Sequence, residues 1–160
     1  MPAGRRRVRL GSMETFELTS SAFADEQRIP AQYTTDGDDT PPPLAWSAPP
    51  PTTRMLVVIV EDPDAARTQR VHWIAWGMPA TAGVLDATSG ARHEGTNSFG
   101  LRGYRGPCPP HGDGPHRYVF RVYALDRDVA LLEDADVREL VSAIHHHVVG
   151  IAELVGIYER

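Results

Sequence analysis

The residues of this sequence best suited to chemistry are two histidines and a tyrosine placed at the edges of apolar segments. His116 and Tyr118 open an alternating apolar segment and follow the glycine- and proline-rich stretch 103–115. His72 stands near the start of another apolar segment. Imidazole and phenol groups donate hydrogen bonds, and an imidazole can also carry a positive charge near neutral pH. Together with loop amides, such side chains can form a pocket for a small anion.

Two carboxylates stand at the end of a third apolar segment. Asp62 and Asp64, separated by one proline, follow residues 55–60, which are apolar on both faces. A carboxylate beside an imidazole fixes its tautomer and raises its pKa. If the three segments are strands of one sheet, the carboxylates and histidines converge on one rim. Each has a simpler interpretation: Asp-Pro-Asp is a common turn, His72 a core histidine and Tyr118 a core aromatic. Their joint occurrence favours a site.

The stretch 103–115 predicts a stiff loop that forms one wall of this pocket. Its prolines fix φ and remove hydrogen-bond donors, which excludes a helix, and its glycines allow bends. This composition favours a preformed pocket over a moving lid. Cys108 lies in the stretch, but no neighbouring motif predicts a lowered thiol pKa, so a packed or idle cysteine is the simpler interpretation.

Other chemistry finds little support. The histidines at 145–147 fall in a predicted helix, where consecutive side chains point in different directions and do not share one metal. Ser98 lacks the Gly-x-Ser-x-Gly pattern of a nucleophile elbow. A zinc site from Asp62, His72 and His116 fits by ligand type, but no known zinc spacing supports it. No nucleotide fingerprint is present. The sequence therefore predicts neither a cofactor nor a metal.

The elements that must position these side chains are mainly strands. The three strong strand patterns are 55–60, 71–77 and 118–125. Residues 14–33 alternate loosely and predict one or two short strands, and residues 78–102 resemble a loop. Residues 151–158 predict a final strand or a short helix. Trp73 and Trp76 lie on opposite faces of the second pattern, so one is free to meet a second sheet or a partner subunit.

One helix is predicted, over about residues 134–149. Its apolar residues recur at helical spacing, and Asp136 and Glu139 have the spacing of a capping box. Gly150 follows the predicted end, where a glycine often closes a helix.

Length and composition restrict the class of protein. The 160 residues suffice for one domain, with residues 14–160 as the domain and residues 1–13 as a disordered leader, an over-long start or residues added for expression. The net charge of −5 argues against nucleic-acid binding, and because all basic residues are arginine, lysine-based chemistry is excluded. The single cysteine excludes an intramolecular disulfide. No apolar run reaches the ~18 residues of a membrane span, and no signal peptide is evident, so a cytoplasmic protein without integral membrane association is expected.

Three motifs in order carry a family resemblance: Asp-Pro-Asp-Ala at 62–65, His-Trp at 72–73, and the Gly-Pro-Cys-Pro-Pro-His-Gly-Asp-Gly-Pro-His-Arg-Tyr run at 106–118. The chain resembles the phosphatidylethanolamine-binding protein family, and most of all its bacterial Raf-kinase-inhibitor-like branch of the YbhB/YbcL type. The resemblance runs from about Phe16 to the C-terminus. Ala66 departs from the family pattern, which usually has proline there.

The resemblance implies an antiparallel β-sandwich with a few peripheral helices and a pocket for phosphate-like anions and phosphorylated head groups. The residues that it carries into the pocket are Asp62, Asp64, His72, Cys108, Pro109, Pro110, His116 and Tyr118. It also implies a pocket more open than in eukaryotic members, whose C-terminal helical extension is absent here.

The function expected from the resemblance is non-enzymatic binding of such a ligand, with a kinase or protease as the protein partner to be modulated and a homodimer as the assembly. Two alternatives stay open. One is a hydrolase or lyase that uses His72 and His116 as acid and base on a phosphoester, although no nucleophile or metal is evident. The other is an interaction protein with a vestigial pocket. If the histidines donate to an anion, binding should tighten below about pH 6.5, the ordinary pKa of histidine.

Overall fold

The computed structural model of the protein describes residues 9–10, 13–66, 70–86 and 93–160. Within these residues the chain forms strands in two sheets, one α-helix and one 3-10 helix. The strands are β1 (Arg9–Leu10), β2 (Met13–Thr15), β3 (Leu18–Thr19), β4 (Gln27–Arg28), β5 (Leu44–Trp46), β6 (Met55–Asp62), β7 (Arg70–Met78), β8 (Gly83–Leu85), β9 (His93–Glu94), β10 (His116–Leu125) and β11 (Val148–Tyr158). The α-helix is α1 (Val137–Ile144), and the 3-10 helix covers Ala31–Tyr33.

The large sheet has the order β1-β2-β11-β10-β6-β7-β9, and β4 pairs with β11 beside it. Its long central strands are antiparallel. The short strands β2 and β4 run parallel to β11, so this edge of the sheet is mixed. A second, antiparallel sheet has the order β3-β5-β8. The mainly β sandwich expected from the sequence is confirmed.

Two apolar cores explain why the central strands are apolar on both faces. On β6, Val58 and Val60 face the core between the two sheets, whereas Val57 faces a second core under α1. Trp73 belongs to the first core and Trp76 to the second, and both are buried. Both tryptophans are therefore used inside this chain. A strand covered on both sides needs apolar residues at every position, which is the pattern of β6 and β7.

The predicted capping box at the start of the helix is confirmed. Asp136 accepts a hydrogen bond from the backbone N–H of Glu139, and the Glu139 side chain accepts one from that of Asp136. The helix is shorter than the predicted 134–149. It ends at Ile144 because the chain turns, and the N–H of His147 donates to the Ile144 carbonyl at 2.8 Å.

Gly150 does not close the helix but lies inside β11. A Cβ at this position would lie 2.7 Å from the Pro50 ring and 3.1 Å from the Glu14 carbonyl oxygen, so the glycine permits close packing. The last segment, predicted as either a final strand or a short helix, is a strand that begins at Val148.

The remaining differences concern short elements. The stretch 78–102, predicted as a loop, contributes β8 and β9, which are too short to show a period of two. Residues 14–33 contribute to three short strands, since this stretch contains most of β2 and all of β3 and β4. The predicted leader, residues 1–13, falls outside the described residues apart from 9–10 and 13.

The topology brings three strand ends to one rim of the large sheet. Glu61 of β6 pairs with Val119 of β10 on one side and with Val71 of β7 on the other. The end of β6 therefore lies between the starts of β7 and β10. Asp62, His72 and His116, which stand at these ends, are brought together by strand pairing.

Candidate functional site

A cavity of about 390 Å³ lies at this rim. The residues that line it are Asp62, Ala65, Ala66, Arg70, His72, Phe99, Cys108, Pro109, Pro110, Asp113, His116 and Tyr118. This set contains every residue that the sequence predicted for the pocket except Asp64. The polar members come from all three strand ends and from the loop before β10.

His116 is held between two carboxylates. Its Nδ1 lies 2.7 Å from Oδ2 of Asp62, and its Nε2 lies 2.6 Å from Oδ2 of Asp113. A ring with a carboxylate at each nitrogen donates from both, which is the protonated imidazolium. Burial opposes protonation, but the two carboxylates outweigh it and raise the pKa of His116 above its ordinary value. The side chains of His116 and Asp62 are both about 5% exposed or less, so this pair is internal.

Asp64 points away from the cavity and joins the loop after β6 to β10. Its carboxylate accepts hydrogen bonds from the backbone N–H of Arg117 at 2.8 Å and from the guanidinium at 2.9 and 3.0 Å. These bonds hold the pKa of Asp64 below its usual range. Asp62 braces the same loop, since its Oδ1 accepts from the N–H of Asp64 at 2.8 Å. The carboxylates of Asp62 and Asp64 thus both accept hydrogen bonds from groups of the protein itself.

His72 is a neutral acceptor towards the cavity. Its Nδ1 lies 2.7 Å from the carbonyl oxygen of Arg105, and because a carbonyl only accepts, Nδ1 carries the proton. Burial lowers the pKa of His72, so the second proton is disfavoured. Its Nε2 makes no hydrogen bond to a described residue. The ring is fixed between the rings of Phe99 and Tyr118, with centroids at 5.2 and 5.3 Å.

The hydroxyl of Tyr118 is a buried polar atom on the cavity wall, with the carboxylate of Asp62 and the backbone of Cys108 nearby but outside hydrogen-bond geometry. The residue is fully buried, lines the cavity, and its hydroxyl has no hydrogen-bond partner among the described residues. Burial and the nearby charge of Asp62 raise the pKa of Tyr118, so the group stays protonated and can donate. Burying a hydroxyl without a partner costs about 1–3 kcal/mol, which a ligand atom would recover.

The wall formed by Cys108, Pro109 and Pro110 is tied to the body of the protein. The carbonyl of Pro107 accepts from the backbone and side chain of Thr35, at 3.2 and 3.1 Å, and the N–H of Gly106 donates to Asp39 at 2.6 Å. Burial raises the pKa of the Cys108 thiol, so it remains protonated at neutral pH. The loop offers shape and backbone groups in place of a reactive thiolate.

Two arginines beside the cavity were missed by the sequence analysis. The guanidinium carbons of Arg70 and Arg105 lie 5.3 and 5.2 Å from the ring centroid of Phe99. Neither guanidinium forms an ion pair with a described residue, and the buried Nε of Arg105 has no partner there. Arg70 was recoverable, since it stands two residues before His72 on one strand and shares its face. Nothing local distinguishes Phe99 or Arg105.

The consecutive histidines near the C-terminus lie outside this site. They occupy the turn after α1, and His147 contacts Asp126 at 3.1 Å. Within the described residues, no group of three histidine, cysteine, aspartate or glutamate side chains is arranged to hold a metal ion. Among the same residues, no helix has the length and apolarity needed to cross a bilayer.

These features define a β-sandwich protein with a small cavity, lined by both polar and apolar side chains, at one end of its central sheet. The family model of the phosphatidylethanolamine-binding proteins matches residues 19–159, and the chain belongs to this family. The resemblance stated from the motifs is confirmed.

Curated relatives and solved structures agree with this assignment. The UPF0098 protein of Pyrococcus horikoshii is 42% identical over 159 residues, which is 94% of this chain and 80% of that protein. The solved structure of a phosphatidylethanolamine-binding protein homologue from Chlamydia trachomatis has a TM-score of 0.85 and 36% identity, with 91% of this chain and 98% of that chain covered. Escherichia coli YbcL has a TM-score of 0.83 and 29% identity, with the same coverage.

Proposed function

We propose that this protein is a non-enzymatic receptor for a small anion or the phosphorylated head group of a larger ligand. The observation that carries the proposal is the buried hydroxyl of Tyr118 on the cavity wall, to which the described part of the chain supplies no hydrogen-bond partner. An anionic oxygen is the natural acceptor for this donor. The Nε2 atom of His72, a neutral acceptor, complements it by accepting from a donor of the same ligand, such as the hydroxyl of hydrogen phosphate or the ammonium of phosphoethanolamine.

The charge distribution around the cavity supports an anion. The carboxylates of Asp62 and Asp64 are directed at His116 and Arg117, so neither presents free negative charge to a ligand. Arg70 lies on the cavity wall with its guanidinium free of ion pairs to described residues, and it adds positive charge. A phosphate oxygen suits a guanidinium because both form short, charge-assisted hydrogen bonds.

The side chains favour binding over phosphoester turnover. His116 has both nitrogens engaged by carboxylates, so it has no free lone pair to act as a base. The thiol of Cys108 is protonated, which makes it a weak nucleophile. We therefore expect no hydrolysis of p-nitrophenyl phosphate above the buffer rate. Turnover that disappears in a folded His116→Ala variant would favour the hydrolase alternative.

The family resemblance extends the proposal to assembly and partners. In this proposal the protein works in the cytoplasm as a homodimer, and its liganded form modulates a kinase or protease. The mass of the protein in light scattering tests the dimer, and co-purification with and without phosphate tests a ligand-dependent partner. A monomer at all concentrations, or capture unaffected by ligand, would contradict these extensions without affecting the pocket.

Phosphate titration of a hydroxyl deletion tests the binding function. Inorganic phosphate and phosphoethanolamine are titrated into wild type, Tyr118→Phe and the control Tyr123→Phe, with histidine resonances and heat of binding as readouts. Tyr123 lies on the same strand but packs near the second core. We expect shifts at His72 and His116 in wild type and the control, and about tenfold weaker binding in Tyr118→Phe, as for a lost hydrogen bond to a charged ligand. Absence of binding in wild type, or equal binding by all three proteins, would overturn the assignment.

A further inference from the structure

The loop before β10 places a second carboxylate, that of Asp113, on the wall of the cavity beside Asp62. Oδ2 of Asp113 lies 2.6 Å from Nε2 of His116, while Nδ1 of the same ring is taken by Asp62. The two carboxylates differ in exposure: the side chain of Asp62 is 4% exposed and that of Asp113 is 43% exposed. Asp62 is therefore a fixed internal partner, and Asp113 is a partner that can leave into solvent.

The backbone around Asp113 is built to allow that movement. Gly112 and Gly114 flank it with φ of +79° and +83°, values that favour glycine. A Cβ built on either glycine would meet nothing within 4 Å, so the loop tip projects into open space. Apart from its side-chain bond to His116, Asp113 makes one hydrogen bond to the described residues, from its N–H to the Pro110 carbonyl at 3.2 Å. Few contacts must be broken to turn this side chain outward, in contrast to the anchored wall around Gly106.

The position of Asp113 conflicts with anion binding as the structure stands. Its carboxylate lines the same cavity as the hydroxyl of Tyr118, and it occupies the only His116 nitrogen not bound to Asp62. An anion entering the cavity meets this negative charge and finds that donor already used. A bound phosphate oxygen and the Asp113 carboxylate are therefore alternatives for one donor.

We propose that Asp113 is an internal competitor that occupies the anion subsite at Nε2 of His116 until a ligand displaces it. This inference rests on the proposed function, and it adds a gate and a ligand preference to it. A carboxylate held by a charge-assisted hydrogen bond is replaced most readily by a more highly charged oxyanion. The cavity therefore favours dianionic phosphate and phosphomonoesters over chloride, acetate or a singly charged phosphodiester.

Charge and side-chain deletions at Asp113 test this inference with inorganic phosphate as the probe. Wild type, Asp113→Asn and Asp113→Ala are compared with the control Asp128→Asn, which makes the same charge change beyond the far end of β10. The affinity is measured by calorimetry at a pH where NMR shows His116 protonated in every protein. We expect on the order of tenfold tighter binding in Asp113→Asn and tighter still in Asp113→Ala, since a competing charge-assisted hydrogen bond has been removed. The control should match wild type.

The possible results distinguish a failure of the Asp113 competitor from a failure of the proposed receptor function. Phosphate bound equally by wild type and both Asp113 variants, or more weakly by the variants, overturns the competitor and leaves the receptor intact. No phosphate binding by any of the proteins overturns both. In addition, dimethyl phosphate and acetate should bind wild type at least tenfold more weakly than phosphate. All three anions should gain by a similar factor from Asp113→Ala, because a group that every ligand must displace lowers each affinity by the same factor. Equal affinities of wild type for the three anions would contradict the proposed preference, and a gain confined to one of them would contradict displacement.

Discussion

At the scale of single residues, the site is a set of carboxylates that each face a cationic or donor group. Asp62 faces His116, Asp64 faces Arg117, and Asp113 takes the remaining nitrogen of His116. Negative charge close to a cavity does not exclude an anion when it is used to hold the donors in place. The exception is Asp113, which is exposed enough to be exchanged for a ligand.

Replacing Asp62 by asparagine should lower both the pKa of His116 and the stability of the fold. The change removes one charge of an internal pair, so we expect a loss of about 2 kcal/mol in the free energy of unfolding below the pKa of His116, within the range for a buried charged group that loses its partner. Urea unfolding and NMR titration of His116 measure the two effects. The matched control is Asp64→Asn, whose pair with Arg117 is exposed on the arginine side and should contribute much less, because solvent screens it. An unchanged His116 pKa in Asp62→Asn would contradict the assignment.

The pKa of His116 should lie above the ordinary histidine value and that of His72 below it. The pH dependence should therefore differ from the one predicted for unperturbed histidines. Because the folded-state pKa of His116 is raised, its contribution to stability is complete below about pH 6.5, the unfolded value, and is lost as the pH rises through the folded value. Because that of His72 is lowered, stability is instead lost as the pH falls below about 6.5.

Phosphate binding should therefore persist above pH 6.5 and weaken only when His116 loses its proton. Binding and the two titrations are measured on the same NMR samples. A binding curve that follows the titration of His72, or that falls at pH 6.5 while His116 is still protonated, would contradict this account.

The sequence predicted the meeting of Asp62, His72 and His116 because long strands with clear apolar patterns carry them to one rim. It did not predict the partners of these residues. Whether Asp64 turns towards the cavity or towards Arg117 depends on the conformation of a loop, and the same holds for Asp113. Phe99 and Arg105 reach the site through a loop without periodicity, so no local pattern identifies them.

At the scale of elements, strong local signals gave the right element and weak ones gave wrong boundaries. The pattern of 55–60 identified β6, whose residues are buried on both faces. The helix was predicted too long because Gly150 was interpreted as its end, whereas this glycine serves close packing in β11. The short strands β2 and β4 gain their pairing from β11, which is a long-range effect that residues 14–33 do not reveal.

The capping box should contribute measurably to stability although α1 is short. Asp136→Ala removes the side chain that accepts from the N–H of Glu139, and we expect a loss of about 1 kcal/mol in the free energy of unfolding. The control is Asp134→Ala, an exposed aspartate two residues earlier on the chain. Equal denaturation midpoints for the two variants would show that the cap adds nothing.

At the scale of the whole molecule, the fold separates most of the stabilising apolar surface from the binding surface. The two cores lie on the two faces of the large sheet, and the cavity lies at one end of its central strands. Tyr118 belongs to both, since its ring packs in the core between the two sheets while its hydroxyl lines the cavity. Tyr118→Phe keeps that ring, and Asp113 lies on an exposed loop, so these variants should fold and their effects should be confined to ligand binding.

A crystal structure of the protein grown in phosphate near pH 6 would show directly whether the cavity binds an anion. We expect a phosphate in the cavity within hydrogen-bond distance of the Tyr118 hydroxyl and of His72, with Asp113 turned away from Nε2 of His116. A cavity without an anion at a phosphate concentration that saturates in solution would contradict the claim. A phosphate bound only outside the cavity, on the exposed face of Arg70, would contradict it equally.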